Sequence, residues 1–338
     1  MKKRKITIKD VAEYASVSPA TVSRVLNDYK WINPEVKERV QKAIDELNYV
    51  PDFTAKAMVR GRSQMVIVIV PVINNHFFIQ LINTVIQEMK RYGYYVVVYT
   101  TESAEEECLF LGSPICQMAD GILNATSLKE LLPLQKVKKP MVLIDRYFEG
   151  NTSIDCVMNR NYEALYRGTE YLIQHGHQKM VFLVGAEGNG IAEERIRGFR
   201  DGLKSHGLPW RNEYVIQDCW KIEAGIRYAS LLLEQPDPPT AIIAGNNTLT
   251  VGVLEAIRNH GMVLGKDISL IGFEESDEDV QAFARYGITS FRLDTSAIAS
   301  SAVKLLLDRL EGAGTNAGAC IESLELKFIE RTSVIHIS

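Results

Sequence analysis

No apolar run in this chain approaches the roughly 18 residues that a membrane-spanning helix requires. The first residues are charged and lead into no apolar stretch, so a secretory signal is not predicted. The five cysteines are odd in number and never spaced as CxxC, which argues against a metal or redox site; they are Cys108, Cys116, Cys156, Cys219 and Cys320. We therefore expect a soluble cytoplasmic protein with reduced cysteines, no bound metal and no cofactor.

Sequence motifs of several enzyme classes are also missing. Neither GxGxxG nor GxxxxGK[ST] occurs, although Gly185–Gly190 is rich in glycine, and no Ser-His-Asp or metal-ligand spacing is present. An enzyme remains an alternative in which His76, Asp145 and Glu274 line one cleft. The missing motifs favour a protein that is not an enzyme.

Charge is distributed unevenly along the chain. The first 63 residues contain 13 Lys/Arg and 8 Asp/Glu, a net charge of +5, whereas the remaining 275 contain 25 and 34, a net charge of −9. A basic head on an acidic body is the pattern expected when only the head meets nucleic-acid phosphates.

Two short helices joined by a tight turn are predicted between residues 6 and 27. Thr7 can cap the first helix together with Asp10, and Ser18 can cap the second, which begins at Pro19. Apolar residues recur at helical spacing on one side, at Val11, Ala12, Ala15, Val22, Val25 and Leu26. The opposite side of the second helix carries Ala20, Ser23, Arg24 and Asn27.

A third helix, capped by Asn33 and started by Pro34, completes a small all-α unit. Its apolar residues at helical period are Val36, Val40, Ile44 and Leu47. This arrangement places one helix in the DNA major groove. The alternative is a helical bundle without a role in DNA binding.

From residue 64, short apolar runs alternate with amphipathic segments. The runs that predict buried strands are Val66–Val70, Val96–Tyr99, Gly121–Leu123, Met141–Ile144, Met180–Val184, Ala241–Ala244 and Leu270–Phe273. Helices are predicted near Phe77–Arg91, Tyr162–His175, Glu193–Ser205, Glu223–Glu234, Leu249–Asn259 and Ser296–Leu310. This alternation predicts doubly wound α/β lobes with parallel sheets, and the length predicts two of them. The segment SLELKFIERTS predicts one late extended strand.

Ligands of open α/β sheets bind beyond the carboxyl ends of the strands, so the residues that follow each run are candidates for a shared cleft. They include Asn75–Phe78, Asp145 with Arg146, Gly185–Gly190, Asn246 with Asn247, and Glu274 with Glu275. Carboxylates, amides, an arginine and aromatics suit a polar small molecule held by hydrogen bonds and ring stacking.

The chain resembles the LacI/GalR family of bacterial transcription regulators over essentially its full length. The specific motif is DVAEYASVSPATVSRVLN, followed by LNYVPDFTAKAM. Supporting segments in the body are HFFIQLI, ADGIL, PMVLIDR, the pair Gly176-His177, RIRGF, PTAIIAGNN and ISLIGFEE.

The resemblance implies a helix-turn-helix headpiece at residues 1–50, a hinge helix or linker at 51–63, and a two-lobed periplasmic-binding-protein-like effector and dimerisation domain at 64–338. The implied first lobe comprises about 64–160 and 293–320, and the second about 161–290 and 321–338. The implied partners are pseudo-palindromic operator DNA, a small-molecule effector and a second copy of the chain, with no membrane.

Carried over by position, the implied DNA-binding residues are Thr7, Ser18, Pro19, Ala20, Thr21, Ser23, Arg24, Asn27, Ala55 and Met58. Pro19 and Ala20 occupy the positions at which members select bases, and as small apolar residues they favour contact with a thymine methyl group. Thr21, Ser23 and Asn27 suit phosphate contacts. Met58 stands where members carry a leucine that wedges into the minor groove; alternatively, it packs hinge against hinge.

The implied effector-binding residues are Phe77, Phe78, Asp145, Arg146, Arg195, Trp220, Asn246, Asn247 and Glu274. This chain departs from sugar-responsive members by carrying Asn247 and Glu274 where aspartates are usual, Leu293 for a glutamine, and Arg146 after Asp145. The loss of an acid and gain of a base favour a negatively charged effector. Alternatively, Arg146 pairs with Asp145 or Glu274.

The predicted function is a repressor of a carbohydrate-utilisation operon, controlled allosterically by a sugar, sugar phosphate or sugar acid. Inducer and corepressor, and dimer and tetramer, remain open, with the dimer favoured. Two alternatives are a regulator whose body responds to a protein partner and a two-lobed sugar-binding protein without a DNA role.

Overall fold

The structure is a computed structural model that describes residues 6–27, 29, 31–50, 61–101, 103–185, 190–218, 220–276, 279–312 and 318–337. The chain divides into two compact units, Met1–Ser63 and Gln64–Ser338, which we call the head and the body. Within the described residues, no helix has both the length and the apolar character needed to cross a membrane.

The described residues of the head form three helices: α1 (Ile8–Tyr14), α2 (Pro19–Leu26) and α3 (Pro34–Glu46). The predicted caps are confirmed: the Asp10 carboxylate accepts from the Thr7 N–H at 2.7 Å, and Ser18 Oγ accepts from the Thr21 N–H at 3.1 Å. One apolar centre joins the helices, and its buried members are Val11, Ala12, Ala15, Val22, Val25, Val40 and Ala43.

The body contains two six-stranded sheets, each wrapped by helices. The elements of its first lobe are β1 (Met65–Val70), α4 (His76–Arg91), β2 (Tyr95–Thr100), α5 (Ala104–Leu111), α6 (Pro114–Met118), β3 (Gly121–Asn124), α7 (Leu132–Gln135), β4 (Met141–Ile144) and β5 (Asp155–Asn159). Those of the second are α8 (Asn161–Gln174), β6 (Met180–Gly185), α9 (Gly190–Ser205), β7 (Val215–Asp218), α10 (Ile222–Leu233), β8 (Ala241–Ala244), α11 (Asn247–Asn259), β9 (Ser269–Glu275), α12 (Val280–Arg285) and β10 (Thr289–Arg292).

The last elements are divided between the lobes. They are α13 (Thr295–Leu310), β11 (Ile321–Leu324) and β12 (Lys327–Ile329). The first sheet has the order β11-β5-β4-β3-β1-β2 and is parallel throughout; the second has the order β12-β10-β9-β8-β6-β7, with β12 antiparallel to β10. The chain therefore crosses between the lobes three times, after β5, β10 and β11.

Alternating residues of the central strand β1 face opposite layers of the first lobe. Val66, Val68 and Val70 pack with α4, while Ile67 and Ile69 pack with α5 and α6. Burial on both faces explains why β1 is a continuous apolar run rather than an alternating one.

The single late strand predicted for SLELKFIERTS is wrong, as is the assignment of all of residues 321–338 to the second lobe. β11 pairs with β5 in the first sheet, and β12 pairs with β10 in the second. The alternating apolar and polar pattern cannot show that the segment is divided between two sheets. Both β11 and β12 are edge strands with one exposed face, so both have the same pattern. The sequence reading also missed β5, β7 and β10, whose polar residues interrupt any apolar run.

A buried imidazole ties the C-terminal segment to the second lobe. His177 is fully buried; its Nδ1 lies 2.9 Å from Thr240 Oγ1, and its Nε2 lies 2.9 Å from Ser269 Oγ and 3.1 Å from the Ile335 carbonyl oxygen. Ser269 Oγ also accepts from the Ile335 N–H at 3.0 Å. Burial lowers the pKa of His177, so the ring is neutral at neutral pH.

Acidification is expected to destabilise the body through His177. In the unfolded chain the pKa of this ring is about 6.5, whereas burial lowers it in the folded protein. At a pH between the two pKa values, the unfolded state therefore binds more protons than the folded state. The free energy of unfolding should therefore decrease as the pH falls below about 6.5, until the folded pKa is passed. Urea unfolding across this range measures the slope. His177→Asn should lose stability at every pH but show a smaller slope; an unchanged slope would contradict the assignment.

Candidate functional site

One face of α2 is open to solvent, and its other face is buried in the head. Ala20 and Arg24 are exposed, whereas Val22 and Val25 are buried. Pro19 and Ser18, at the start of the helix, are also exposed, while Thr21, Ser23 and Asn27 are half-buried. The predicted base-reading positions thus share one accessible face. Ala55 and Met58 of the predicted hinge lie outside the described residues.

Hydroxyl groups at the start of α1 and α2 are occupied by capping. Thr7 Oγ1 donates to Asp10 Oδ2 at 2.6 Å, and the Ser18 and Thr21 hydroxyls lie 2.9 Å apart. These side chains shape the helix ends, and a phosphate at either end would be bound mainly by backbone N–H groups.

A cleft of about 420 Å³ lies between the two lobes, beyond the carboxyl ends of their strands. Six of the nine predicted effector residues line it: Phe77, Phe78, Asp145, Arg146, Trp220 and Asn246. Residues that the sequence reading did not select also line it, including Thr126, Ser127, Lys129, Ile191 and Lys221. No sequence motif marks these five residues, so their place at the cleft could not be predicted before the fold was known.

Asp145 stands at the end of β4 with a strained backbone. Its φ is +50°, a conformation that costs a non-glycine residue free energy. The Asp145 N–H donates to the Val157 carbonyl at 2.7 Å, and Oδ1 accepts from Asn159 Nδ2 at 3.0 Å. Neighbouring β5 therefore holds this carboxylate in place at the cleft wall, as is common for strained residues at binding sites.

Arg146 is directed into the first lobe and supports the same wall from behind. It is only 5 % exposed, and Nη2 donates to the Leu128 carbonyl at 2.7 Å. Burial lowers the pKa of its guanidinium. The loop that it holds is also fixed by the fully buried Glu107, whose carboxylate accepts from the Thr126 hydroxyl at 2.5 Å and the Ser127 N–H at 2.8 Å.

Trp220 lies flat against glycine backbone in the second lobe. A Cβ atom on Gly185 would come within 1.8 Å of Trp220 Cε2, so any larger residue there would displace the indole. The Trp220 carbonyl accepts from the Thr248 hydroxyl at 2.9 Å, and Thr248 also bonds Asn246 Oδ1 at 3.0 Å. The indole and the Asn246 amide are thereby fixed side by side at the cleft.

Arg195, which the sequence reading placed in the cleft, is fully buried beneath it and is not a lining residue. Nε donates to Asn161 Oδ1 at 2.9 Å, Nη1 donates to the Gly245 carbonyl, and the guanidinium carbon lies 4.0 Å from the centre of the Phe273 ring. The motif spacing could not show where the long side chain of Arg195 turns.

Asn247 takes part in a polar contact between the lobes rather than lining the cleft. Its Oδ1 accepts from Asn75 Nδ2 at 3.3 Å, and its Nδ2 donates to Asp279 Oδ2 at 3.1 Å. Asp279 Oδ1 lies 3.0 Å from His76 Nδ1. Asn75 and His76 start α4 in the first lobe, and Asp279 precedes α12 in the second. Glu274 lies in β9, and its side chain is outside the description.

Removing the His76 side chain from the first lobe should make the segment that follows Asp279 in the second lobe more mobile. His76 is about half exposed, so its pair with Asp279 is worth no more than about 1 kcal/mol. In His76→Ala, amide hydrogen exchange in Val280–Arg285 should accelerate by up to about fivefold. His260→Ala is the matched control, because His260 pairs with Glu234 within the second lobe. Equal exchange in the wild type and His76→Ala would show that the contact does not hold the lobes.

Comparison with known proteins agrees with this architecture. Residues 7–52 match the bacterial regulatory proteins of the lacI family, and residues 169–334 match the periplasmic binding protein-like domain. The ribose operon repressor of Halalkalibacterium halodurans is 32% identical over 269 residues, which cover 79% of this chain and 80% of that protein.

Solved structures share the whole fold. A lac repressor dimer bound to operator and the anti-inducer ONPF superposes with a TM-score of 0.84 at 22% identity, covering 98% of this chain and 100% of that one. The transcriptional regulator CelR in complex with cellobiose has a TM-score of 0.72 at 25% identity, covering 97% and 99%. The predicted fold class is confirmed, and the chain belongs to the LacI family of DNA-binding bacterial transcription regulators.

Proposed function

We propose that this regulator represses a carbohydrate-utilisation operon in the cytoplasm and responds to a sugar derivative with a negative charge, bound without turnover in the cleft between the lobes. The observation that carries the proposal is the composition of the cleft wall, whose described residues combine the Asp145 carboxylate, an indole, amides, two lysines and an arginine.

A sugar ring suits the fixed groups of this wall. The indole face of Trp220 offers a flat apolar surface, while Asp145 and Asn246 beside it suit hydroxyl groups. Two relatives support this class: one is a ribose operon repressor, and the CelR structure contains cellobiose. The other three predicted effector residues are Arg195, Asn247 and Glu274. We propose that they hold the lining residues in position or contact the ligand when the lobes move.

A negative charge on the effector suits the balance of charges in the cleft. Lys129 lines it from the first lobe and Lys221 from the second, with Asp145 as the carboxylate among the described lining residues. Arg146, which lines the cleft but is only 5 % exposed, adds a third cation. A phosphate or carboxylate bound between the lysines would gain charge-assisted hydrogen bonds from both lobes.

The proposed assembly is a homodimer that contacts through the free edge of the first sheet. The edge strand β2 exposes Tyr95 and Val98, and the neighbouring α4 exposes Ile79 and Ile86. An edge strand with exposed apolar side chains is a ready surface for a partner. The lac repressor structure, a dimer on its operator, supports this state.

Selection of sheared genomic DNA by the purified protein tests the regulator. We expect one enriched pseudo-palindrome, whose neighbouring genes nominate sugars for binding assays. Effector and operator affinities should be coupled by about 1–3 kcal/mol, and the sign of the coupling distinguishes inducer from corepressor. Steady consumption of the bound sugar would contradict the proposal that the protein is not an enzyme.

The phosphate or acid form of the nominated sugar should bind more tightly than the neutral form. Two lysine contacts predict a difference of at least about tenfold, because charged hydrogen bonds contribute about 1.5–3 kcal/mol each. Calorimetric titration measures both affinities. Lys129→Gln with Lys221→Gln should abolish the preference, whereas Lys204→Gln, on the exposed end of α9, should leave it unchanged. Tighter binding of the neutral sugar would exclude the anionic class.

Arg24→Ala should weaken operator binding by about 1–3 kcal/mol and relax one base position, because the exposed Arg24 lies on the base-reading face of α2. Competition between the operator and single-base variants measures this effect. Arg39→Ala, on the exposed side of α3, is the control and should not change base preference. An equal loss on operator and random DNA would identify Arg24 as a phosphate contact.

A further inference from the structure

The chain enters the body at the edge formed by the amino ends of the first sheet's strands. Gln64 directly precedes β1; its N–H donates to Asp120 Oδ2 at 2.8 Å, and its carbonyl accepts from the Tyr95 N–H at 2.8 Å. Asp120 and Tyr95 stand at the amino ends of β3 and β2. The body residues nearest along the chain to the DNA-binding head therefore lie at this edge.

Basic side chains collect at the same edge. α4 connects two parallel strands and so runs back from their carboxyl ends, which places Lys90 and Arg91 of its last turn there. The segment before β4 adds Lys136, Lys138 and Lys139, because β4 runs parallel to β3. These five residues are the basic edge. They stand out because residues 64–338 carry an excess of acidic residues, with a net charge of −9.

The three lysines before β4 also border an open cavity of about 710 Å³. Its lining includes Leu111 and Val137, and none of the described residues that line it is a carboxylate. Acidic residues at the edge have contacts of their own or lie elsewhere. Asp120 is bonded to the Gln64 backbone, Glu88 of α4 accepts from the Ser300 hydroxyl at 2.5 Å, and Asp308 and Glu311 lie at the end of α13, beside β5.

The charges of the basic edge are not neutralised within the body. Within the described chain, none of the five residues forms an ion pair or a side-chain hydrogen bond. Four of the five are exposed, and Lys139 is half-buried. Exposed cations that have no partner in the described part of the chain attract a polyanion.

We propose that the basic edge binds backbone phosphates of the duplex that flanks the operator. The proposal rests on DNA binding by the head and adds a second, sequence-independent DNA contact on the body. Each phosphate neutralised releases counterions and steepens the dependence of log K on log salt by about 0.9. The body thereby strengthens binding on DNA that extends past the operator.

Salt titration of the full-length protein on two duplexes tests the basic edge. Both duplexes contain the selected operator; one ends at it, and the other carries roughly 20 base pairs of flank on each side, about two helical turns. The test variant is Lys136→Gln/Lys138→Gln. The matched control is Lys204→Gln/Lys266→Gln, which removes two exposed lysines from the amino ends of the second sheet.

On the long duplex, the test variant should reduce the salt slope by about 3 to 4, because the proposed dimer loses two lysines from each protomer; the slope on the short duplex should not change. The control variant should match the wild type on both. Three outcomes would overturn the proposal: no change on the long duplex, equal changes in test and control variants, or equal changes on both duplexes. Failure of the wild type to prefer the operator over a scrambled duplex would instead contradict the proposed function.

Discussion

A guanidinium buried away from water fixes the second lobe's side of the cleft. Arg195 reaches α8 through Asn161, the end of β8 through the Gly245 carbonyl, and β9 through the Phe273 ring. Burying an ion costs several kcal/mol, and this cost is offset only while all its acceptors keep their positions. The strand ends that present Trp220 and Asn246 to the cleft are thus held at fixed spacing by one charge.

In the first lobe, a buried carboxylate holds the cleft wall in place as the buried guanidinium does in the second lobe. The fully buried Glu107 organises the loop after β3, and Arg146 holds the next residues of that loop by the Leu128 carbonyl. The pairs that join the lobes, His76 with Asp279 and Asn75 with Asn247, are longer or more exposed. Rigid walls with a weak connection between them suit a body whose lobes move as units when a ligand binds.

Sequence patterns correctly predicted the features that neighbouring residues determine, such as helix starts and central strands. Ser18 before Pro19 fixed the start of α2, and the runs of valine and isoleucine located the central strands. Positions after those strands predicted five of the six cleft-lining effector residues, because parallel strands bring their carboxyl ends together, whereas Trp220 was carried over only by the family resemblance. The direction of the Arg195 side chain, the pairing of His76 with Asp279 and the division of β11 from β12 depend on residues far apart in the chain. Lys129 and Lys221 were not predicted, because no sequence motif marks them. Only their neighbours in the folded protein show that they line the cleft.

The three crossings between the lobes have a consequence for biosynthesis. β11 completes the first sheet and α13 covers it: a Cβ atom at position 121 of β3 would come within 2.8 Å of Leu306 Cδ1 of α13. Both elements follow α8 to β10 of the second lobe in the chain, while β12 comes after them. A ribosome therefore makes β6 to β10 of the second lobe while the first lobe still exposes the face that α13 will cover. The first lobe therefore cannot complete its core until α13 and β11 have been synthesised.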